Sequence, residues 1–473
     1  MMLIQHLRHI VQKNQLILPD ETVVVAVSGG TDSLALLHML YTLQASLRIT
    51  LHAATLDHQL RDGSAEDAAY VRAIAEEWGI AVTVGHVDVG KLAAEEQMGI
   101  EAAARQARYA FLVNVARQVG SARIMTAHHA DDQAETVLMR LLRGAGLSGL
   151  RGMAMQAPVP GAPHLLLVRP LLGFSRAELE AYCLEHGLVP RHDATNADTR
   201  YTRNFIRHEV LPVLRQLNPQ VEKALNRLAE TARTDDAYLQ AAFEALAAEH
   251  VRYHADRITV SRAAFQTWHP AMQRRCLYHA IALLGSADAI DFDHIQAAIE
   301  LAEHGEQGAV ALLGAGLRLR VDYDVLEIAH EDAPPAVPEH LPLLAAGQVV
   351  ALNLPGETAI PHVNWRLRLE FNAIETQRPP QARIVISMYS ECILRTRQAG
   401  DRIAPLGLNG HHQKINRWMI NQKVPRHLRE RIPLLVVDGE VALILYGDTW
   451  VVSEKFAIRN ESQRTINVFV DFS

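Results

Sequence analysis

The residue types best suited to chemistry gather first in one loop, Ser28-Gly29-Gly30-Thr31-Asp32-Ser33. Two glycines let the main chain approach a ligand closely and take conformations that a Cβ forbids. If a helix opens here, its first N–H groups and the positive end of its dipole face an anion. Ser28 and Ser33 add hydroxyl donors for phosphate oxygens. Asp32 runs against that, because a carboxylate repels phosphate; a Mg²⁺ ion between the two removes the conflict. The structural alternative is a strand–turn–helix junction with Asp32 as a cap. The loop is not a Walker A loop, since no Gly-Lys-Ser/Thr follows, and it is not Gly-x-Gly-x-x-Gly. Ser28 also lacks the Gly-x-Ser-x-Gly elbow of a hydrolase.

A second concentration is Thr126-Ala-His128-His129-Ala-Asp131-Asp132-Gln-Ala-Glu135-Thr136. His128 and Asp132 are i and i+4, so they share a face if a helix has begun by His128. Alternatively, His129 and Asp131 cap the helix and Glu135 lies in its first turn. No third soft ligand is near enough for a zinc site. Arg105 and Arg108, three apart on one helical face, are on spacing alone as readily a solvated stripe as a ligand contact. Cys183, Cys276 and Cys392 lie far apart, with no Cys-x-x-Cys pair, which argues against a disulfide framework, a zinc ribbon or an iron–sulfur cluster.

The elements that must position these residues alternate. Thr22 to Val27 is a continuous apolar, β-branched run, the pattern of a strand buried on both faces. Further strands are expected over Ile49 to Leu56, Ala81 to Val87, Ala122 to Ala127 and His164 to Val168. Helices are expected after the glycine loop and over Glu66 to Trp78, Ile100 to Gln118 and Ala134 to Leu142, and another is opened by the capping box Ser175-Arg-Ala-Glu178. This βαβα order implies a doubly wound parallel α/β sheet, with ligands at the carboxyl ends of its strands. Leu217 to His250, rich in Ala, Leu, Glu and Arg, reads as two long helices. At 473 residues several domains are expected: a catalytic domain over 1–215, a mostly helical middle domain over 216–330, a Pro-rich linker over 331–342 and a small α+β domain over 343–473.

The net charge of −7 argues against non-specific nucleic-acid binding, but it is unevenly spread. Between Cys392 and Ile432, nine Lys and Arg face only Asp401 and Glu430, so this segment carries +7 and the remainder −14. No run approaches the ~18 uninterrupted apolar residues of a membrane span. Met1 to Lys13 has neither the apolar centre nor the cleavage site of a signal peptide. The expected location is cytoplasmic, with no membrane partner.

The loop from Ser28 to Ser33 resembles the Ser-Gly-Gly-x-Asp-Ser signature of the N-type ATP pyrophosphatases, the PP-loop enzymes. The resemblance implies that Ser28, Gly29, Gly30, Thr31, Asp32 and Ser33 bind ATP, with AMP transferred to a substrate oxygen and then displaced. Four further segments resemble the tRNA(Ile)-lysidine synthetase branch: Leu56-Asp57-His58-Gln59-Leu60-Arg61; Glu101 to Tyr109; Thr126 to Thr136 with Arg140 to Gly144; and Asp193-Ala-Thr-Asn196 with Arg203-Asn204-Phe-Ile-Arg207. Gly400 to Gly407 and Gln413-Lys414 are similar to that family's last domain. Gln59, where many relatives have Gly, and Ile100, where a small polar residue is common, depart from the pattern.

The resemblance implies a reaction. The C2 oxygen of the wobble cytidine in a CAU-anticodon tRNA(Ile) attacks the α-phosphate of ATP, and the ε-amine of free lysine then displaces AMP to give lysidine. It implies catalytic roles for Asp32, His128, Asp132 and Arg203, Mg²⁺ at Asp32 and Asp132, and ATP contacts from Asp57 and His58. It also implies that Arg105, Arg108 and Arg207, with Arg402, Lys414, Arg417 and Arg426 of the basic stretch, meet tRNA. On charge alone that stretch, with Trp418 and His411-His412, is a phosphate-tracking face, a solvated surface or a partner for the acidic remainder. A thiolase is disfavoured by the missing cysteine pairs, and an ammonia-dependent amide synthetase by the basic C-terminal region. A tRNA-binding protein that uses ATP only as a conformational ligand is the non-enzymatic rival.

Overall fold

The computed structural model describes residues 2–60, 63–191, 198–285, 291–337, 341–371, 379–407, 410–447, 450–459 and 464–472. The chain forms two compact units, Met1–Leu239 and Gln240–Ser473. Arg61 and the stretch Asp193 to Asn196 lie outside the described residues.

The first unit opens with helix α1 (Met2–Lys13) and strand β1 (Thr22–Ala26). Val23, Val24 and Val25 of β1 are fully buried, which is why the strand reads as an unbroken apolar run rather than an alternating one. Next come α2 (Thr31–Leu47), β2 (Thr50–Asp57), α3 (Ser64–Glu77), β3 (Ala81–His86), α4 (Val89–Glu95), α5 (Ile100–Val119) and β4 (Arg123–Met125). They are followed by α6 (Ala130–Leu142), α7 (Leu147–Leu150), β5 (Gln156–Val159), β6 (Ala162–Val168) and α8 (Arg176–Glu185).

The strands lie in the order β3-β2-β1-β4-β6-β5. All neighbours are parallel except β5, which returns antiparallel on β6 through a turn at Gly161. This is the expected doubly wound α/β sheet with one hairpin strand added at its edge. One face is covered by a layer containing Leu7, Leu36, Leu40, Phe174 and Tyr182, the other by Tyr109, Leu112 and Val115 of α5. The chain leaves β1 for β2 on one side and returns to β4 on the other, so a crevice opens at the carboxyl ends of β1 and β4.

Beyond the sheet, α9 (Thr202–Phe205) runs into a π-helical turn, Ile206–Val210, and then α10 (Leu211–Leu217) and α11 (Val221–His250). The stretch expected to hold two long helices is one unbroken helix of 30 residues after the short α10. The only breaker is Asn218-Pro219, and nothing between Val221 and His250 is Gly or Pro. The boundary between the two units falls inside α11.

The second unit begins with helices α12 (Arg262–Thr267), α13 (Pro270–Leu284) and α14 (Phe292–His304), joined by a five-stranded antiparallel sheet that the sequence reading lacked. The Pro-rich stretch that follows is not a free tether. Buried Glu327 accepts the N–H of Ala336 at 2.9 Å, Arg257 donates to the Pro334 carbonyl at 2.9 Å and Arg318 to that of Ala333 at 2.7 Å. The remainder holds a five-stranded and a four-stranded antiparallel sheet, the latter built on Trp365–Phe371 paired with Thr465–Phe472, and the short helix α15 (Ile415–Asn421). Among the described residues no helix is long and apolar enough to cross a membrane.

Candidate active site

β1 delivers the glycine loop to the crevice, and α2 carries it away. Gly29 stands at φ +84°, a conformation L side chains rarely adopt, and a Cβ there would lie 3.3 Å from Val71. The Ser33 hydroxyl folds the loop on itself: it accepts the N–H of Ser28 at 3.1 Å and donates to the Gly30 carbonyl at 3.0 Å. Gly30 is the N-cap of α2 and offers no side chain to the first turn, which leaves the helix N-terminus open to an anion. Ser28 is exposed at the mouth of the loop.

β4 delivers the second cluster. Helix α6 begins at Ala130 with His129 as its N-cap, so His128 precedes the helix and does not share a helical face with Asp132. The capping alternative is the one the chain adopts for His129; Asp132, at the third helical position, returns the bond by accepting the N–H of His129 at 3.0 Å. Three carboxylates surround the buried His129 ring: Asp32 at 3.5 Å, Asp131 at 3.5 Å and Asp132 at 3.4 Å. Burial alone would lower its pKa; the bonds to Asp131 and Asp32 override this and push it up to about 10. Nδ1 also lies 3.2 Å from the N–H of Asp131, a contact that needs a lone pair. With three carboxylates at hand the proton wins that competition.

His128 behaves oppositely. Burial, reinforced by Arg169, Arg203 and Arg108 against the pull of Asp132, lowers its pKa to about 4. It is a neutral imidazole with Nδ1 2.9 Å from the Thr126 hydroxyl.

Glu135 sits in the second turn of α6, not the first, and is 1% exposed. It is held by two arginines one helical turn apart: Arg203 donates to it at 2.7 Å, Arg207 at 2.6 and 3.0 Å. Both also reach Asp132, at 2.9 and 3.2 Å. Arg207, expected at tRNA, is therefore committed to this network, and Glu135 raises its pKa against the effect of burial. Asp132 is no better placed for a metal. One of its oxygens is taken by the two arginines and the other by His129. Burial would raise its pKa, but His129 and Arg203 hold it below the carboxylate range.

Asp32 differs: its Oδ1 is buried and has no hydrogen-bond partner. An orphaned carboxylate oxygen beside a phosphate-type loop fits a hard, oxygen-seeking cation such as Mg²⁺. Among the described residues no cluster of three or more His, Cys, Asp and Glu is arranged to hold a metal by itself.

The remaining expected residues are spread more widely. Asp57 ends β2 and is turned to local work, accepting the N–H of Gln59 at 2.9 Å and lying 3.4 Å from His86. Gln59 has φ +51°, in the left-handed region that favours Gly. His58 follows at the same strand end. Arg105 and Arg108 are exposed on α5, the Arg105 guanidinium 4.9 Å above the ring of Tyr109. Two features of the site lie outside the sequence motifs. The charge of His129, expected only as a cap, is signalled in the sequence by its neighbours Asp131 and Asp132. Arg169, directly after β6, stands in no motif.

In the second unit the basic stretch separates into two populations. Arg395 is buried against Asp401 at 2.7 Å, Arg397 pairs with Glu430 at 2.6 Å, and Arg429 and Arg431 donate to backbone carbonyls. Trp418 is 5% exposed and belongs to the core, so it offers no stacking surface. Arg402 and Lys414 are cross-strand neighbours; with Arg417 and Arg426 they are exposed, and no carboxylate among the described residues pairs with these four.

The chain matches two families, one described as PP-loop domain over residues 2–214 and one as TilS substrate C-terminal domain over residues 392–467. It is 36% identical to a tRNA(Ile)-lysidine synthase of Symbiobacterium thermophilum over 94% of this chain and 93% of that protein. With the enzyme of the same name from Dehalococcoides mccartyi it shares 32% identity over 99% of both. A solved TILS C-terminal domain is similar at 24% identity, covering 27% of this chain and 97% of that one, with a TM-score of 0.23.

Proposed function

Since the chain belongs to the tRNA(Ile)-lysidine synthase family of PP-loop, ATP-using ligases, we propose that it joins lysine to C2 of the wobble cytidine of a CAU-anticodon tRNA(Ile). The observation that carries this reading is the convergence, at the carboxyl ends of β1 and β4, of a phosphate-type loop, an orphaned Asp32 oxygen and the Arg203–Asp132–Glu135 network.

ATP lies with its departing pyrophosphate on Ser28 to Ser33, where the N-terminus of α2 and the serine hydroxyls supply donors. Asp32 would hold a Mg²⁺ ion, which would supply positive charge between that carboxylate and the phosphates. The cytidine C2 oxygen bonds to the α-phosphorus, and the bond from phosphorus to the pyrophosphate oxygen breaks. Arg203, fixed by two carboxylates, presents its remaining N–H groups to charge developing on the α-phosphate. Neutral His128, hydrogen-bonded through Nδ1 to the Thr126 hydroxyl, adds a polar group without adding charge. The ε-amine of lysine, its ammonium proton lost to solvent, then bonds to C2; the bond between C2 and its oxygen breaks, and AMP leaves with that oxygen. Asp132, held low by His129 and Arg203, is a partner for the ammonium's charge rather than the acceptor of its proton. Arg402, Lys414, Arg417 and Arg426 contact phosphates of the same tRNA, and so do Arg105 and Arg108 of the first unit.

Purified protein with ATP, Mg²⁺ and labelled lysine should label a CAU-anticodon tRNA(Ile) and release pyrophosphate only when that tRNA is present. No label in the tRNA overturns the assignment. Product formed with ammonia in place of lysine would move the chain to the amide synthetases.

A further inference from the structure

The first unit contains a cation without a counter-charge. Arg169 directly follows β6 and its side chain is buried. One Nη donates to the carbonyl of Ala154 at 2.8 Å, Tyr109 supplies a further hydrogen bond, and the Nε–H is buried with no partner. No carboxylate among the described residues forms an ion pair with it. Its charged neighbours, Arg105 and Arg140, make matters worse. Arg140 is itself spent on the carbonyls of Gly149 and Gly152 at 2.8 and 2.9 Å. Three other buried or half-buried arginines of the unit do have acids: Arg123 has Glu21, and Arg203 and Arg207 have Glu135. Holding a guanidinium out of water without an anion is costly, and a chain that does so beside its reacting centre has a ligand that brings the anion.

The strand order says which anion. The carbonyl of Val168, the last residue of β6, accepts the N–H of Thr126 at 3.0 Å, so Arg169 stands beside the segment that carries His128. Across the sheet the sequence of ends is β1 with the phosphate loop, β4 with His128 to Asp132, then β6 with Arg169. Adjacent strands lie ~4.8 Å apart. Arg169 is thus one strand beyond the reacting centre, on the side away from the pyrophosphate. A lysine whose amine points to the centre at β4 has a four-carbon stem to span that spacing. Its far end carries a carboxylate, a planar partner for a guanidinium. The burial of Arg169 favours a small molecule that enters the crevice over a phosphate of a rigid polymer.

We propose that Arg169 binds the α-carboxylate of the amino-acid substrate and thereby selects a free amino acid over a simple amine. The proposal rests on the lysine-transfer reading above. In steady-state assays Arg169→Gln should raise KM for lysine about 10- to 100-fold, as expected for losing a charge-assisted pair. KM for ATP and for tRNA should stay within about threefold of wild type on the same ground. Arg169→Lys should recover part of the loss, and melting curves of both variants check that they fold.

A second arm needs no variant. The unmodified protein should use lysinamide and cadaverine, which lack the carboxylate, about 100-fold less efficiently than lysine. In Arg169→Gln that preference should collapse to within a few-fold. Wild-type protein using lysinamide as well as lysine overturns the proposal. So does an Arg169→Gln variant whose KM for tRNA rises with a shallower salt dependence, since a nucleic-acid phosphate would then be the anion. No lysidine from wild-type protein overturns the parent reading, which the normal product with lysine in the control reaction separates from failure of this assignment alone.

Discussion

Two histidines adjacent in sequence are driven in opposite directions by their surroundings, and stability should record both. His129 has a folded pKa near 10 against an ordinary 6.5. Its contribution is whole below about pH 6.5 and is lost as pH rises towards 10. His128, folded near 4, contributes above about 6.5 and loses that contribution as pH falls. Unfolding free energy measured without divalent cations should therefore peak near pH 6.5, and His129→Asn should flatten the alkaline limb while leaving the acid limb. Glu135→Gln tests the neighbouring network. It leaves two half-buried guanidiniums facing a neutral amide, and denaturant titration should show a loss of ~3–5 kcal/mol. The glycine loop and the cluster from His128 to Asp132 stand out in the sequence by residue type and order, whereas Arg203, in helix α9, is singled out there only by the family resemblance. The partners of Glu135 do not stand out. Arg203 and Arg207 lie about seventy residues away, and only the fold brings them to it.

At the scale of elements, the parallel strands and their helices follow from hydrophobic period and glycine placement, and most were legible. β5 was not: Gln156–Val159 is short, contains Pro158 and is largely unburied, so it carries no run of its own and exists by pairing with β6. The π-turn at Ile206–Val210 also leaves no mark in composition. It inserts one residue between the turn that carries Arg203 and Arg207 and the apolar seat of Leu211 against Leu138 and Ile206. Deleting His208, exposed in that turn, would rotate all that follows by about 100°. The variant should melt several degrees lower and lose ligase activity, as thermal melts and lysine incorporation would record.

For the molecule as a whole, the +7 segment shows how far charge counting reaches. It located the basic region but could not separate arginines that hold the domain together from those that face outward. Charge reversal at Lys414, Arg417 and Arg426 should weaken tRNA binding and reduce the slope of log affinity against log salt by about three. Arg395→Ala, which breaks a buried pair with Asp401, should instead lower stability by a few kcal/mol. Filter binding across a salt series, set beside denaturation, separates the two classes.

The strand order carries one more consequence. β1 is finished by residue 26, but its neighbour β4 arrives only at residue 123, and Arg203 later still. The β1–β4 pairing joins residues 100 apart, and such non-local contacts close late in folding. On a ribosome adding ~5–20 residues per second, the glycine loop emerges well before the residues it is set beside. An emerging chain therefore lacks the assembled crevice until its first domain is almost complete.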